Sequence, residues 1–89
     1  MTHCDITVRG NVHGVGYRYS ACEKARELHL SGFVRNEADG AVYIEVEGPE
    51  AAVTQFVEWC RHGSHSARVE SLQVRSRDNI EGYSNFVIL

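Results

Sequence analysis

One proline and one lysine, Pro49 and Lys24, are all that this chain of 89 residues contains of either type, and both scarcities exclude something. With so little proline and no glycine-, serine- or proline-rich tract, there is no linker, low-complexity segment or internal repeat. With one lysine among nine basic residues and a formal net charge of −3, the clustered positive charge that phosphate-backbone binding requires is missing, so no nucleic-acid partner is expected. No apolar run approaches the ~18 residues of a membrane span, and the N-terminal Met-Thr-His-Cys-Asp lacks the basic and apolar regions of a signal peptide, so neither a membrane nor export is expected. Three cysteines, Cys4, Cys22 and Cys60, form no Cys-x-x-Cys pair and are odd in number. They suit a reducing, cytoplasmic compartment, each as a small buried apolar residue.

Other chemistries are missing by pattern. His3, His13, His29, His62 and His65 and the cysteines never fall into metal-ligand spacing, so no metal or cofactor is expected. No Gly-x-Ser-x-Gly elbow is present for a nucleophilic serine, and Cys22 has no histidine beside it in the sequence to activate it. What remains is a globular composition, 43% hydrophobic and 24% charged. At this length a single domain over residues 1–89 is expected, burying about 60% of its unfolded surface.

The periodicities divide that domain. From Cys4 to Gly10, Ile6 and Val8 alternate with Thr7 and Arg9, predicting a strand with one buried face. Ser20-Ala21-Cys22-Glu23 has the form of a capping box and predicts a helix to about Leu30, with Arg18 just ahead of its first turn and Ala21, Ala25 and Leu28 as its apolar stripe. Phe33 to Asn36 predicts a second strand, Asp39-Gly40 a hairpin turn, and Ala41 to Gly48 a return strand with Val42, Ile44 and Val46 on one face and Tyr43, Glu45 and Glu47 on the other. Pro49-Glu50 opens a second helix, in which Val53, Phe56, Val57 and Cys60 fall at i, i+3, i+4 and i+7, ending near His62-Gly63. Ala67 to Val74 predicts a strand with an irregularity, because Val69 and Leu72 differ in parity, and Tyr83 to Leu89 a last short strand carrying Phe86 and Ile88 inward. This order predicts an α+β fold, a ferredoxin-like βαββαβ sandwich. Its sheet is mostly antiparallel, with two helices on one face and a short fifth, C-terminal strand. Modules of this layout that bind RNA carry exposed aromatics and basic residues on the central strands. Here the first strand has no aromatic, and Tyr43 is the only outward aromatic expected on the hairpin, flanked by glutamates.

Between the first strand and the first helix lies Gly10-Asn11-Val12-His13-Gly14-Val15-Gly16-Tyr17-Arg18. Three glycines in nine positions allow a turn that aims successive N–H groups at one point, a concavity suited to an anion. Arg18 follows at the mouth of the helix, where free N–H groups and the dipole favour negative charge and a guanidinium can bind phosphate through two parallel hydrogen bonds. Val12, His13, Gly14, Val15, Gly16 and Tyr17 are thus the candidate phosphate-binding loop, although glycine-rich strand-to-helix turns also arise for geometric reasons alone. Neither the Gly-x-x-x-x-Gly-Lys-Ser/Thr pattern nor the third glycine of a dinucleotide turn is present.

This stretch resembles the Gly-x-Val-Gln-Gly-Val-x-Phe-Arg signature of acylphosphatases. Gly32-Phe33-Val34-Arg35-Asn36, followed by Asp39-Gly40, Val42 and Gly48, resembles that family's second signature, in the family's order and spacing. The departures are His13 for the usual glutamine and Tyr17 for the usual phenylalanine. They bear on the loop's fine structure and, through His13, its response to pH. The resemblance implies an acylphosphate phosphohydrolase that splits the carboxyl-phosphate bond of small-molecule acyl phosphates into a carboxylate and inorganic phosphate. It also implies that Arg18 and loop N–H groups bind the phosphoryl group, that Asn36 positions the attacking water, and that no metal or covalent intermediate is used. A monomer is expected. The acyl group is expected to project toward solvent, since no acyl pocket is legible. Two alternatives stay open: a ferredoxin-like module that binds an anion or a partner without turnover, and an acylphosphatase-like domain separated from a carbamoyl-transferring protein. That the chain stops directly after its last strand is expected of the free-standing form.

Overall fold

The computed structural model describes residues 1–89. In chain order the elements are β1 (Thr2–Asn11), α1 (Tyr17–Glu27), β2 (Ser31–Asn36), β3 (Val42–Gly48), α2 (Glu50–His62), β4 (Arg68–Arg77) and β5 (Phe86–Ile88). They form one five-stranded sheet in the order β4-β1-β3-β2-β5, antiparallel except for the β2–β5 pair, with both helices packed on one face. The expected ferredoxin-like sandwich is the fold observed.

Each layer follows from a sequence pattern. On the helix side, Ile6 and Val8 of β1, Val34 of β2 and Val42, Ile44 and Val46 of β3 are fully buried, as alternation demands. Against them α1 packs Tyr17, Ala21, Cys22 and Ala25, and α2 packs Val53, Phe56 and Cys60. All three cysteines are buried and unpaired, and burial pushes the Cys60 thiol up to about 12, which keeps it protonated and inert. The irregularity expected in β4 is a register shift: Arg9 faces Ser71 but Gly10 faces Val69, leaving Glu70 as the extra residue of a bulge.

Several expectations are corrected. First, no capping box forms. Gly16, at φ 77 and ψ 13, is the residue before the first helical turn, no side chain caps it, and Ser20 lies inside the helix, donating its N–H to the Gly16 carbonyl at 3.0 Å. The turn of Gly16 redirects the chain directly into helix, so Arg18 is within the first turn rather than ahead of it. The helix also stops at Glu27, because His29 takes a left-handed φ of 59 that lets the Leu30 N–H reach the Ala25 carbonyl and returns the chain toward the core.

Second, β4 continues to Arg77, past the last apolar residue of its pattern, because Arg75 and Arg77 both donate to the Asp5 carboxylate on β1. Third, Tyr83 to Asn85 is not strand. The segment from Asp78 to Asn85 instead lies across the face of the sheet that the helices leave open. There the N–H groups of Glu81, Gly82 and Tyr83 all donate to the Glu47 carboxylate, the Asn79 carbonyl meets His3, and the Tyr83 hydroxyl donates to Glu45. His3 and Glu47 are buried beneath these contacts, and Asp5, on the same face, is buried under Arg75 and Arg77. Phe33 shares this face with Tyr43, contrary to the expectation that Tyr43 was its only hairpin aromatic, and the Tyr83 ring packs edge-on against Phe33 at 6.0 Å.

Candidate active site

β1 and β2 are both antiparallel to β3, which lies between them, so they run in the same direction and end at the same edge of the sheet. The loop from Val12 to Gly16 leaves the end of β1 at that edge, and Asn36 is the last residue of β2 there. Val8, Val42 and Asn36 form one row across β1, β3 and β2, and side chains in one row share a face. Asn36 therefore stands on the helix-bearing side, at the edge where α1 begins.

The loop is pinned at both ends by burial: Val12 is 2% exposed and Tyr17 1%. Tyr17 adds a hydrogen bond, its hydroxyl donating at 2.8 Å to the carbonyl of Cys60, one of the last carbonyls of α2, which the helix itself leaves without a donor. From the α2–β4 connection, the Ser64 hydroxyl donates to the Val15 carbonyl at 2.9 Å. Between these anchors Gly14 and Gly16 take φ values of 70 and 77, a region costly for residues with a Cβ, so the pair of glycines sets the turn.

The result is a run of free donors. None of the N–H groups of residues 13–19 donates a hydrogen bond within the protein, because the loop turns its carbonyls to Ser64 and Ser20 and the first helical turn has no preceding carbonyls to use. The guanidinium of Arg18, half-buried among them, has no acidic or carbonyl partner, and the Asn36 side chain is likewise unpaired. Unpaired amides, a helix N-terminus and an unpaired arginine occur together on this loop, a donor set of the kind that suits an anion, and the loop itself carries no carboxylate.

Not every candidate residue joins it. Val12, Gly14, Gly16, Tyr17 and Arg18 line one concavity of about 220 Å³. His13 does not line it and turns to the hairpin, with Nε2 at 3.4 Å from the Ala41 carbonyl. Val15 packs against the core, and Asn36 lies outside the concavity on the same sheet edge. Two contributors escaped the sequence reading. Ser64 lies in a polar loop with no pattern to mark it. Tyr19 completes the concavity's wall and was signalled only by following Arg18 within the first helical turn.

Comparisons with known proteins place the chain in a family. The sequence matches the acylphosphatase family over residues 4–88. It is 42% identical over 89 residues to an acylphosphatase of Methylococcus capsulatus, covering 100% of this chain and 97% of the relative. The crystal structure of the acylphosphatase from Bacillus subtilis matches it with a TM-score of 0.97 at 39% identity, covering 100% of this chain and 99% of that one. HypF from T. kodakarensis contains a similar unit, with a TM-score of 0.85 at 28% identity, in which this chain spans only 12% of the longer protein. A match running from Cys4 to Ile88 and near-complete coverage of both a relative and a crystal structure lead to one conclusion: this chain belongs to the acylphosphatase family.

Proposed function

We propose that this acylphosphatase hydrolyses small-molecule acyl phosphates by direct attack of water on a phosphoryl group held by Arg18 and the loop amides, with Asn36 aiming the water. The observation that carries the reading is that the N–H groups of residues 13–19 and the Arg18 guanidinium are all unpaired, and that Gly14, Gly16, Tyr17 and Arg18 of this stretch line one concavity. Phosphoryl transfer passes through a loose transition state with charge spread over the equatorial oxygens, so donors fixed in advance around those oxygens supply most of what catalysis requires. The guanidinium fork adds two parallel hydrogen bonds to the same group.

In the step itself, a bond forms between the water oxygen and phosphorus as the bond from phosphorus to the acyl oxygen breaks. The electron pair leaves on the carboxylate, and the proton lost by the water goes to solvent or to the phosphate product. The conjugate acid of the leaving carboxylate has a pKa near ~4, so no strong general acid is needed. Asn36 suits the water because its carbonyl accepts and its amide donates, and it brings no negative charge toward a phosphate.

The chain acts in this reading as a single domain over residues 1–89, as a monomer and in the cytoplasm. No helix is long and apolar enough to cross a membrane. Its exposed large apolar residues, Met1, Tyr19, Val74, Ile80 and Leu89, are spread over separate segments, which suits a monomer. Three unpaired thiols suit a reducing compartment. The test is phosphate release from benzoyl phosphate with EDTA present. Steady turnover is the expected result, and an anion-binding module would give none.

A further inference from the structure

We propose that the groove between α1 and β5 seats the acyl group of the substrate and that Tyr19 makes the enzyme favour acyl phosphates with an aromatic or bulky apolar acyl group. This rests on the hydrolase reading above. Tyr19 is 76% exposed, while every other aromatic side chain in the protein is buried or half-buried. Nothing in the fold uses its ring, yet it directly follows Arg18 and forms a wall of the loop concavity. The same side chain is also a wall of a larger, adjoining groove of about 460 Å³, within the size range of small-molecule sites.

That groove is bounded by Tyr19, Cys22, Glu23 and Arg26 of α1, at i, i+3, i+4 and i+7 on one helical face, and by Val87 and Ile88 of β5. It is preformed. The Arg26 Nε–H donates to the Phe86 carbonyl at 3.0 Å and the Cys22 thiol to the same carbonyl at 3.6 Å, fixing helix and strand against each other. A phosphoryl group gripped by Arg18 leaves its acyl carbon one bridging oxygen away, so an acyl chain that passes Tyr19 enters the groove. Glu23 and Arg26 carry opposite charges, so the groove offers no net charge to select a second ionic group. What it does offer is the ring of Tyr19 and the side chain of Ile88, against which an aryl or branched alkyl group can pack.

The experiment compares kcat/KM for benzoyl phosphate and acetyl phosphate in the wild type, Tyr19→Ala and Tyr19→Phe. Tyr19 is exposed, so neither variant threatens the fold. The wild type is expected to favour benzoyl phosphate, with that ratio falling roughly fivefold in Tyr19→Ala, the low end of what one apolar contact contributes to discrimination, and surviving in Tyr19→Phe. An unchanged ratio in Tyr19→Ala overturns the proposal, including the case in which both rates fall together, since Tyr19 would then act on the loop rather than on the acyl group. A wild type that turns over both substrates without preference overturns it as well. Release of phosphate from neither substrate would instead overturn the hydrolase reading on which it stands.

Discussion

Replacing Tyr17 by phenylalanine isolates one hydrogen bond that ties the glycine-rich loop to the far end of the other helix. Tyr17 is 1% exposed, and its hydroxyl donates to the Cys60 carbonyl at 2.8 Å. Burial also drives its pKa well above that of an ordinary tyrosine, so it remains a donor at any working pH. The Phe variant keeps the ring, its tilted contact with Trp59 at 5.5 Å and the packing around it, so the loss is confined to one oxygen. It leaves the Cys60 carbonyl buried without a donor, which costs about 1–2 kcal/mol. For a domain of this size each kcal/mol lowers Tm by roughly 4–8 °C, so Tyr17→Phe is expected to melt roughly 4–16 °C below wild type, followed by circular dichroism at pH 7 in phosphate-free buffer. Because the ring still anchors the loop, kcat at 25 °C should fall less than about threefold, far short of the ~100-fold that a misplacement of about 1 Å can cost. A Tm equal to or above that of the wild type would refute the claim that the hydroxyl caps α2.

Three further outcomes follow from the same geometry. Arg18→Lys should remove most activity although charge is kept, because lysine lacks the planar fork, and benzoyl phosphate turnover at wild-type rates by the folded variant would contradict this. Millimolar phosphate or sulfate should raise the Tm of the wild type by mass action and leave that of Arg18→Ala unmoved, and equal rises in both would show that the ion acts elsewhere. Asp5 is held below the usual carboxylate range: burial pushes it up, but hydrogen bonds from Arg75 and Arg77 outweigh that and pull it down. A depressed folded pKa means that its contribution is complete above the unfolded value near ~4 and is lost as pH falls below it. With the Arg75 and Arg77 side chains 70% and 40% exposed, screening reduces the effect, so Asp5→Asn is expected to cost about 1 kcal/mol at neutral pH. The gap in Tm should shrink as pH is lowered through 4, and a gap that stays constant to pH 2 would contradict the ion-pair account.

Where a residue's neighbours are set by its own segment, the sequence was readable. Alternation placed β1 and β3, the i, i+3, i+4, i+7 stripe placed α2, and the parity change between Val69 and Leu72 marked the bulge. The capping box misled because Ser20 and Glu23 have the right spacing wherever a helix surface is polar, whereas the helix start was decided by the left-handed turn at Gly16. Glu47 alternates like a solvent-facing residue but is 1% exposed, since the segment that covers it comes from more than thirty positions away. The end of β4 was hidden for a related reason: its last residues are held by Asp5, across the sheet, and by no apolar pattern of their own. At the site, glycines and arginine announced the loop on physical grounds. Asn36 was marked only by its resemblance to a family signature, and the α1–β5 groove by nothing, because it exists only once helix and strand are packed together.

The division of labour between binding and water positioning is the centre of the account, and Asn36→Ala tests it most directly. The measurement is kcat for benzoyl phosphate together with the inhibition constant of inorganic phosphate, after circular dichroism confirms the fold. With Arg18 and the loop amides intact, the inhibition constant should stay within about twofold of wild type while kcat falls by about 100-fold or more, the signature of an interaction made in the transition state and not in ground-state binding. Unchanged kcat in Asn36→Ala would remove Asn36 from the mechanism, and parallel loss of phosphate affinity and kcat would make it a phosphate ligand rather than the residue that aims the water.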